Sequence, residues 1–257
     1  MIPRVKFLFR QPHWSNLFWT GVGLVMLGVP FWHVSPTSAE ILSGIGGSIL
    51  ATVIVTLTGP TADELYQRFR SLRVTGFWSH RNEVENDQWV KWLRAAQVRC
   101  ILLGHSHGEW LRDDGFEPAL VERLRAGKTV EMFFLDPTGQ GAALRQEEER
   151  EKRDTRDTIH RSIKKLWTIA EGLGAEDREH LIVWVYDGTP SLGVTWIDNW
   201  MIVTHYLAGS TNRTSPALRV EAQADITCPY AVYEHNVNHI RTRAKRLTNE
   251  NINRYIQ

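Results

Sequence analysis

The stretch "PSLGVTWIDNWMIVTHYLAGSTN", residues 190–212, decides the fold. It holds two short apolar runs, 192–198 and 200–206, with polar residues between them and turn-forming residues after them. Short runs rich in Val, Ile, Thr and aromatic residues are typical of strands. We therefore expect two adjacent buried strands here, and ask whether the polar side chains beside them belong to an active site.

The segments before this stretch alternate between strand and helix patterns. Short apolar runs predict strands at 98–104, 128–137 and 180–188. Helical periodicity predicts helices at 82–97, 117–127 and about 140–173, and a closing helix that begins near Cys228. This order predicts an α/β domain with a mixed sheet flanked by helices.

The first 60 residues have a different composition. The run 17–32 and the run 41–58 carry no charged residue. About 20 apolar residues are needed to cross a bilayer, and both runs reach that length with their flanks. We expect a hairpin of two transmembrane helices, about 14–34 and 41–59, followed by a helical linker over 61–80. A cleaved signal peptide ending at "TSA" is an alternative, but the second apolar run argues against it.

Basic residues indicate the orientation of this hairpin. Arg4, Lys6 and Arg10 precede the first run, whereas the connector "HVSPTSAE" has no lysine or arginine. Basic residues stay on the cytoplasmic side. The expected location is the bacterial inner (cytoplasmic) membrane, multi-pass, with both termini and an α/β domain over 81–257 in the cytoplasm. Small residues at 43, 47 and 51 favour either oligomerisation of the spans or packing of the hairpin on itself.

Charge and cysteine content exclude some classes of protein. The 257 residues carry a formal net charge of +1, so we expect no duplex nucleic acid as a partner. The two cysteines, Cys100 and Cys228, lie far apart in the sequence. A disulfide is not excluded, but nothing in their number or spacing indicates a small secreted fold held by disulfides.

Together these segments resemble one half of a phospholipase D-type fold. The matching stretches are "RCILLGHSHGEWL", "LVERLRAGKTVEMFFLDPTG", "HLIVWVYDGTPSLGVTWID" and "MIVTHYLAGSTNRTSPALRV", and they cover about 83–245. The resemblance is closer to the divergent phospholipase D-like modules of prokaryotic multidomain proteins than to the enzymes. It implies a self-associating protein, because the enzymes pair two halves around one site.

The resemblance also implies that catalysis has been lost. The enzymes carry H-x-K-x-x-x-x-D, in which the histidine is the nucleophile and the lysine holds the phosphate. With the aspartate placed on Asp198, Ser191 stands at the histidine position and Gly193 at the lysine position. Neither residue can perform that chemistry. The enzymes' G-S-x-N is similar to Gly209, Ser210 and Asn212, displaced by four residues.

A second candidate is "GHSHGE", residues 104–109, which follows a predicted strand. Sheets of this class bind ligands at the carboxyl ends of strands, so this loop either faces a ligand or is an ordinary surface loop. A metal ion would need a third ligand, and no second cluster of matching spacing is visible.

Asp136 either faces the same end of the sheet or caps a turn. His205 and Tyr206 either line the former cleft or pack in the core. Arg213 and Arg219 could supply positive charge to a phosphate-bearing ligand.

These arguments give a set of expected ligand-binding residues, with no catalytic residue, metal or cofactor: His105, Ser106, His107, Asp136, Ser191, Asp198, His205, Ser210 and Asn212. The expected function is a membrane-anchored effector or signalling protein that senses a ligand, such as a nucleotide, and controls assembly of its membrane helices. The expected partners are the lipid bilayer, further copies of the chain and a small nucleotide. By analogy the setting is bacterial antiviral defence. The alternatives are a membrane-bound phosphodiesterase that uses another nucleophile, such as His105 or His205, and a membrane scaffold without a ligand.

Overall fold

The computed structural model describes residues 67, 69–149, 154–189, 191–207, 211, 213–224 and 228–256. The chain divides into two compact units, Met1–Phe69 and Arg70–Gln257, and the account below concerns the second. The expected membrane helices at 14–34 and 41–59 lie outside the described residues. Among the residues that are described, no helix is both long enough and apolar enough to span a bilayer.

Eight strands of the described chain form one mixed sheet, in the order β1-β7-β6-β5-β2-β3-β4-β8. The pairs β2/β3 and β3/β4 are parallel and the other pairs are antiparallel. The strands are β1 (Val74–Trp78), β2 (Cys100–Leu103), β3 (Val130–Leu135), β4 (Leu181–Tyr186), β5 (Leu192–Ile197), β6 (Trp200–His205), β7 (Ala217–Glu221) and β8 (Lys245–Arg246).

Helices connect and cover these strands. They are α1 (Asn86–Ala95), α2 (Gly108–Arg112), α3 (Phe116–Arg125), α4 (Gln140–Glu149), α5 (Thr155–Glu171), α6 (Ala175–Glu179), α7 (Pro229–Arg243) and α8 (Asn253–Ile256). A short 3₁₀ helix, Arg81–Glu83, follows β1. The prediction of a mixed sheet flanked by helices is therefore confirmed.

The two faces of the sheet are covered by different helices. On one face α7 packs its Tyr230 edge-on against Trp196 of β5, with 5.9 Å between ring centroids. On the other face Trp92 of α1 packs against Trp200 of β6 at 5.0 Å. β5 lies between β2 and β6, and all six of its residues are buried. β5 and β6 thus lie at the centre of the sheet and of the core.

The structure differs from the predicted elements in two places. Val74–Trp78, inside the predicted helical linker over 61–80, is a strand with alternating exposure that pairs with β7. The predicted long helix over 140–173 is instead two helices, α4 and α5. A new helix begins because Asp154 is its N-cap and accepts hydrogen bonds from the backbone N–H groups of Arg156 (2.8 Å) and Asp157 (3.4 Å).

Candidate functional site: an arginine-rimmed cavity

A cavity of about 420 Å³ opens where β2 and β6 end and β5 begins. It lies at the carboxyl end of β2, the edge at which sheets of this class place their ligands. Its polar lining comes from the loop after β2, from β5 and β6, from the start of α5 and from two segments that flank β1 and β7: Arg81, His105, Ser106, His107, Glu109, Arg112, Thr155, Thr158, Thr195, Thr204, Tyr206, Thr211 and Arg213.

The loop after β2 contributes two histidines to the cavity. His107 adopts a left-handed backbone conformation with φ of 51° at the start of α2. Its Nε2 lies 2.9 Å from the carbonyl oxygen of Phe133. A carbonyl only accepts hydrogen bonds, so Nε2 carries the proton and Nδ1 is left as an acceptor. The His105 ring packs edge-on against Tyr206, with 5.3 Å between centroids.

Both imidazoles are neutral at physiological pH. Burial, with the positive charges of Arg145 and Arg81 and the neighbouring His107, lowers the pKa of His105 to about 3. Burial also lowers the pKa of His107 to about 4, against the opposing effect of its hydrogen bond to Phe133. The two histidines therefore offer the cavity neutral donors and acceptors rather than charge.

A tyrosine closes the floor of the cavity. A Cβ at Gly193 would lie 2.8 Å from the phenolic oxygen of Tyr206, so any larger residue at this position would require the tyrosine to shift. The guanidinium carbon of Arg145 lies 4.6 Å from the centroid of the same ring. Arg145 is fully buried and pairs with Glu148 at 3.1 Å. The resemblance places a lysine at the position of Gly193. In the structure the side chain of Tyr206, which directly follows β6, fills the space beside that position.

The rim of the cavity is positively charged. Glu109 accepts a hydrogen bond from Arg81 and lies 3.2 Å from Nε of Arg213. Arg112 is a third arginine of the lining. Three guanidinium groups against one carboxylate leave the described lining with an excess of positive charge. Arginines in a partly enclosed, hydroxyl-rich cavity are the arrangement that binds phosphate groups.

The structure brings together only some of the expected ligand-binding residues. His105, Ser106 and His107 line the cavity, as do Tyr206 and Arg213. Ser210 and Asn212 lie outside the described residues. The others are elsewhere: Asp136, Ser191, Asp198 and His205 do not contribute to its lining.

Each of those four residues has another environment. Asp136 caps a turn, accepting hydrogen bonds from the N–H (2.8 Å) and hydroxyl (2.7 Å) of Thr138. Ser191 is exposed just before β5. His205 points to the opposite face of the sheet, where its Nε2 lies 3.2 Å from the Tyr233 hydroxyl. Strand residues alternate between faces, so Thr204 and Tyr206 reach the cavity and His205 does not.

Asp198 has a structural role at the other end of β5. Its carboxylate accepts hydrogen bonds from the backbone N–H groups of Gln97 (2.9 Å), Val98 (2.7 Å) and Arg99 (2.9 Å). Burial acts to raise the pKa of Asp198, but these three donors outweigh it and hold the pKa below its usual value. Asp198 therefore acts as a brace between the β5–β6 turn and the start of β2.

Sequence reasoning missed several residues of the lining. Glu109 ends the "GHSHGE" segment, but nothing in its spacing indicated two arginine partners. Arg81 is distant in sequence and reaches the cavity because its backbone N–H donates to the carbonyl of Ser215 at 2.8 Å. Thr155 and Thr158 come from the start of α5. Across the described residues, no group of three His, Cys, Asp or Glu side chains could hold a metal ion.

Comparisons with known proteins give no assignment of family. No protein-family model and no curated protein matches the chain. Among solved structures, the archaeal chromatin protein TrmBL2, whose structure shows a novel mode of DNA binding, matches at 11% identity and a TM-score of 0.42, over 83% of this chain and 72% of that one. Phosphatidylserine synthase of Haemophilus influenzae matches at 14% identity and a TM-score of 0.42, over 88% of this chain and 53% of that one. This chain thus spans about half the length of the synthase, and at these TM-scores neither similarity assigns a fold or an activity to it.

Proposed function

We propose that the chain is a membrane-anchored effector or signalling protein whose α/β domain is a catalytically degenerate phospholipase D-like module. The module binds a phosphate-bearing ligand, such as a small nucleotide, and binding controls assembly of the two N-terminal membrane helices. Antiviral defence in bacteria is the setting that this combination of parts suggests by analogy. The observation that carries the proposal is the cavity, whose rim has three arginines and one glutamate.

The chemistry of the lining supports a phosphate-bearing ligand. Arginine presents a planar fork of donors that matches phosphate oxygens. Ser106, Thr195 and Thr204 are buried hydroxyls that can donate to further oxygens of a ligand. The volume of about 420 Å³ lies within the range typical of small-molecule sites.

The floor of the cavity supports binding without hydrolysis. Phosphoryl transfer in the resembling enzymes needs a histidine nucleophile and a lysine on neighbouring positions of one strand. Here Gly193 carries no side chain and Tyr206 fills the space above it. Ser191 is exposed and lies outside the cavity lining. The scaffold is kept and its reactive pair is absent from these positions.

Self-association is part of the proposal. Enzymes of the resembling superfamily build one site from two halves, and this chain matches one half. A homodimer or a higher oligomer would also give ligand binding a way to act on the membrane helices, by changing how copies meet. The proposed partners are therefore the bilayer, further copies of the chain and a small nucleotide.

The test is a ligand screen on the full-length chain purified in detergent. Melting temperatures are measured with linear and cyclic oligonucleotides and with mononucleotides. A ligand that binds only the folded state raises the melting temperature, and the stabilisation grows with the logarithm of its concentration over Kd. We expect at least one nucleotide to do so, and Arg112→Gln to weaken the effect. If no nucleotide shifts the transition, the sensing role is wrong and a scaffold without a ligand takes its place.

A phosphodiesterase with an unusual nucleophile is the second candidate, because His105 lines the cavity as a neutral imidazole. A neutral imidazole is the form that attacks phosphorus. Hydrolysis of lipid or oligonucleotide phosphodiesters by the full-length chain, abolished by His105→Gln but not by His205→Gln, would favour this candidate. His205→Gln is the matched control because His205 lies on the other face of the sheet.

A further inference from the structure

Glu109 lies between two arginines at the mouth of the cavity. Arg81 donates a hydrogen bond to one of its carboxylate oxygens, and Nε of Arg213 lies 3.2 Å from the other. One carboxylate thus occupies a position that two guanidinium groups share. A carboxylate and a phosphate present oxygens to arginine in the same way, so Glu109 holds the place that an anionic ligand group would take.

Arg81 is held in position by a contact that does not involve Glu109. Its guanidinium carbon lies 4.6 Å from the centroid of the Trp89 ring, and its side chain is only 12% exposed. The Arg213 side chain is 64% exposed, but its backbone carbonyl accepts a hydrogen bond from the N–H of Asn82 at 3.1 Å, which joins the two segments. Glu109 is 32% exposed, so its side chain can rotate into water while these contacts keep both arginine residues at the mouth of the cavity.

We propose that Glu109 is an internal counter-ion that occupies the phosphate subsite of the cavity, and that a ligand binds by displacing it. This inference rests on the proposed function, because it assigns the subsite and the competitor within the same cavity. Glu109 then sets a threshold: only a ligand whose anionic group binds the Arg81–Arg213 pair better than Glu109 does can occupy the site.

The threshold selects for the charge of the ligand. A phosphate monoester carries about −1.5 to −2 charges near pH 7, more than the single charge of the carboxylate that it displaces. A phosphate diester carries one negative charge and only matches that carboxylate. The subsite is therefore specific for terminal phosphate groups over diester phosphates, such as those within a cyclic nucleotide.

Calorimetric titration of the full-length chain at low ionic strength tests this inference. The probes are AMP and inorganic phosphate, with cyclic AMP as the diester and adenosine as the probe without phosphate. Glu109→Gln keeps the shape of the side chain and removes its charge. Glu122→Gln is the matched control, because Glu122 pairs with Arg94 at 3.3 Å on an exposed surface away from the cavity.

We expect Glu109→Gln to lower the Kd for AMP and for phosphate about tenfold, the order of effect of one charge-assisted hydrogen bond. Adenosine should bind equally to both proteins, and Glu122→Gln should behave as the wild type. Glu109→Gln should lower the Kd for cyclic AMP by a similar factor, because both ligands displace the same carboxylate, so the preference for AMP over cyclic AMP should be kept. Adding Arg213→Gln to Glu109→Gln should raise the Kd for phosphate again.

Two results would overturn the inference and are distinguishable from each other. If the wild type binds AMP and Glu109→Gln binds it equally or less well, Glu109 is not a competitor, and the proposed function stands. If neither protein binds any of the phosphate probes while both melt cooperatively, the Arg81–Arg213 pair is not a phosphate subsite and the inference is wrong, and the proposed function is then also wrong if the oligonucleotides of the melting screen give no shift.

Discussion

Tyr206 places its phenolic oxygen over Gly193, where a Cβ would lie only 2.8 Å away. The tyrosine ring is itself covered by the fully buried Arg145, whose guanidinium carbon is 4.6 Å from the ring centroid. The phenol therefore has little room to retreat from β5. This position of β5 is therefore closed by a contact between Gly193 and the Tyr206 side chain.

The first prediction concerns this contact. Gly193→Ala should lower the free energy of unfolding by about 1–3 kcal/mol, the usual cost of overpacking. In a Tyr206→Phe background the same change should cost less than about 0.5 kcal/mol, because the opposing oxygen is gone and alanine is favoured over glycine in a strand. Urea denaturation of the four proteins gives the coupling energy.

Gly174→Ala is the control for that cycle, because a Cβ there would meet its nearest atom, in Asp177, at an ordinary 3.8 Å. Its effect, about 1 kcal/mol because Gly174 is the N-cap of α6 and alanine caps poorly, should be the same in either background. Equal costs of Gly193→Ala with and without the Tyr206 hydroxyl would show that the phenol does not close this position.

The second prediction concerns Asp198. Asp198→Ala should lower the free energy of unfolding at pH 7 by about 2–3 kcal/mol, because three backbone N–H groups lose an ionised acceptor. The left-handed φ of 46° at this residue adds to the cost for alanine. Asp198→Asn should cost less, since asparagine tolerates that conformation and keeps one acceptor oxygen.

The stabilisation by Asp198 should depend on pH. Its pKa is lower in the folded chain than in the unfolded chain, so the stabilisation is complete above the unfolded value of about 3.9. It is lost as pH falls through the folded value. The stability difference between the wild type and Asp198→Asn should therefore shrink below about pH 4, and Asp114→Asn, at an exposed position, should show no such trend.

The third prediction concerns the cavity histidines. The folded-state pKa values of His105 and His107, about 3 and about 4, lie below those of an unfolded chain. The unfolded chain then binds protons first, so the free energy of unfolding should fall as pH drops below about 6.5. The slope should be at most about 1 kcal/mol per pH unit for each ring, since both are partly exposed to the cavity.

Chemical denaturation between pH 7 and pH 5 checks this trend. His105→Gln should reduce the slope, whereas His239→Gln, at an exposed position of α7, should leave it unchanged. A slope that stays the same after His105→Gln would mean that the imidazole is protonated as easily in the folded chain as in water.

The fourth prediction concerns assembly. Because the chain resembles one half of a two-half enzyme, the full-length protein in detergent should be a homodimer or a higher oligomer. Light scattering coupled to size exclusion separates the mass of the protein from that of the detergent. A monomer at micromolar concentration would contradict the proposed role of self-association.

The central strands were predictable because their sequences are continuous apolar runs. β2, β3, β4, β5 and β6 all lie within the predicted ranges, and β5 and β6 pair residue by residue from Leu192↔His205 to Ile197↔Trp200. β1 was missed because Val74–Trp78 directly follows a helical pattern, and its pairing with β7 joins residues far apart in the chain. Pairing between segments so far apart leaves no pattern in the sequence of either segment.

The site was only partly predictable, because contacts between residues far apart in the chain leave no pattern in the local sequence. The "GHSHGE" loop follows a clear strand, so its place at the mouth of the cavity could be predicted from sequence. Arg81 enters through a backbone hydrogen bond to Ser215, and no local pattern specifies that contact. The sequence left open whether His205 lines the cleft or packs in the core, and in the structure it lies on the face opposite the cavity, because one residue along a strand reverses the direction of the side chain.

Asp198 and Gly193 lie at opposite ends of β5, roughly 17 Å apart for five residues at the rise of a strand. The carboxylate that braces one turn and the residues at the mouth of the cavity therefore share a strand without sharing a contact. Substitutions at the two ends should have additive effects on the free energy of unfolding. The lining of the cavity can thus be varied by mutation while the turn at the far end of β5 keeps the sheet in register.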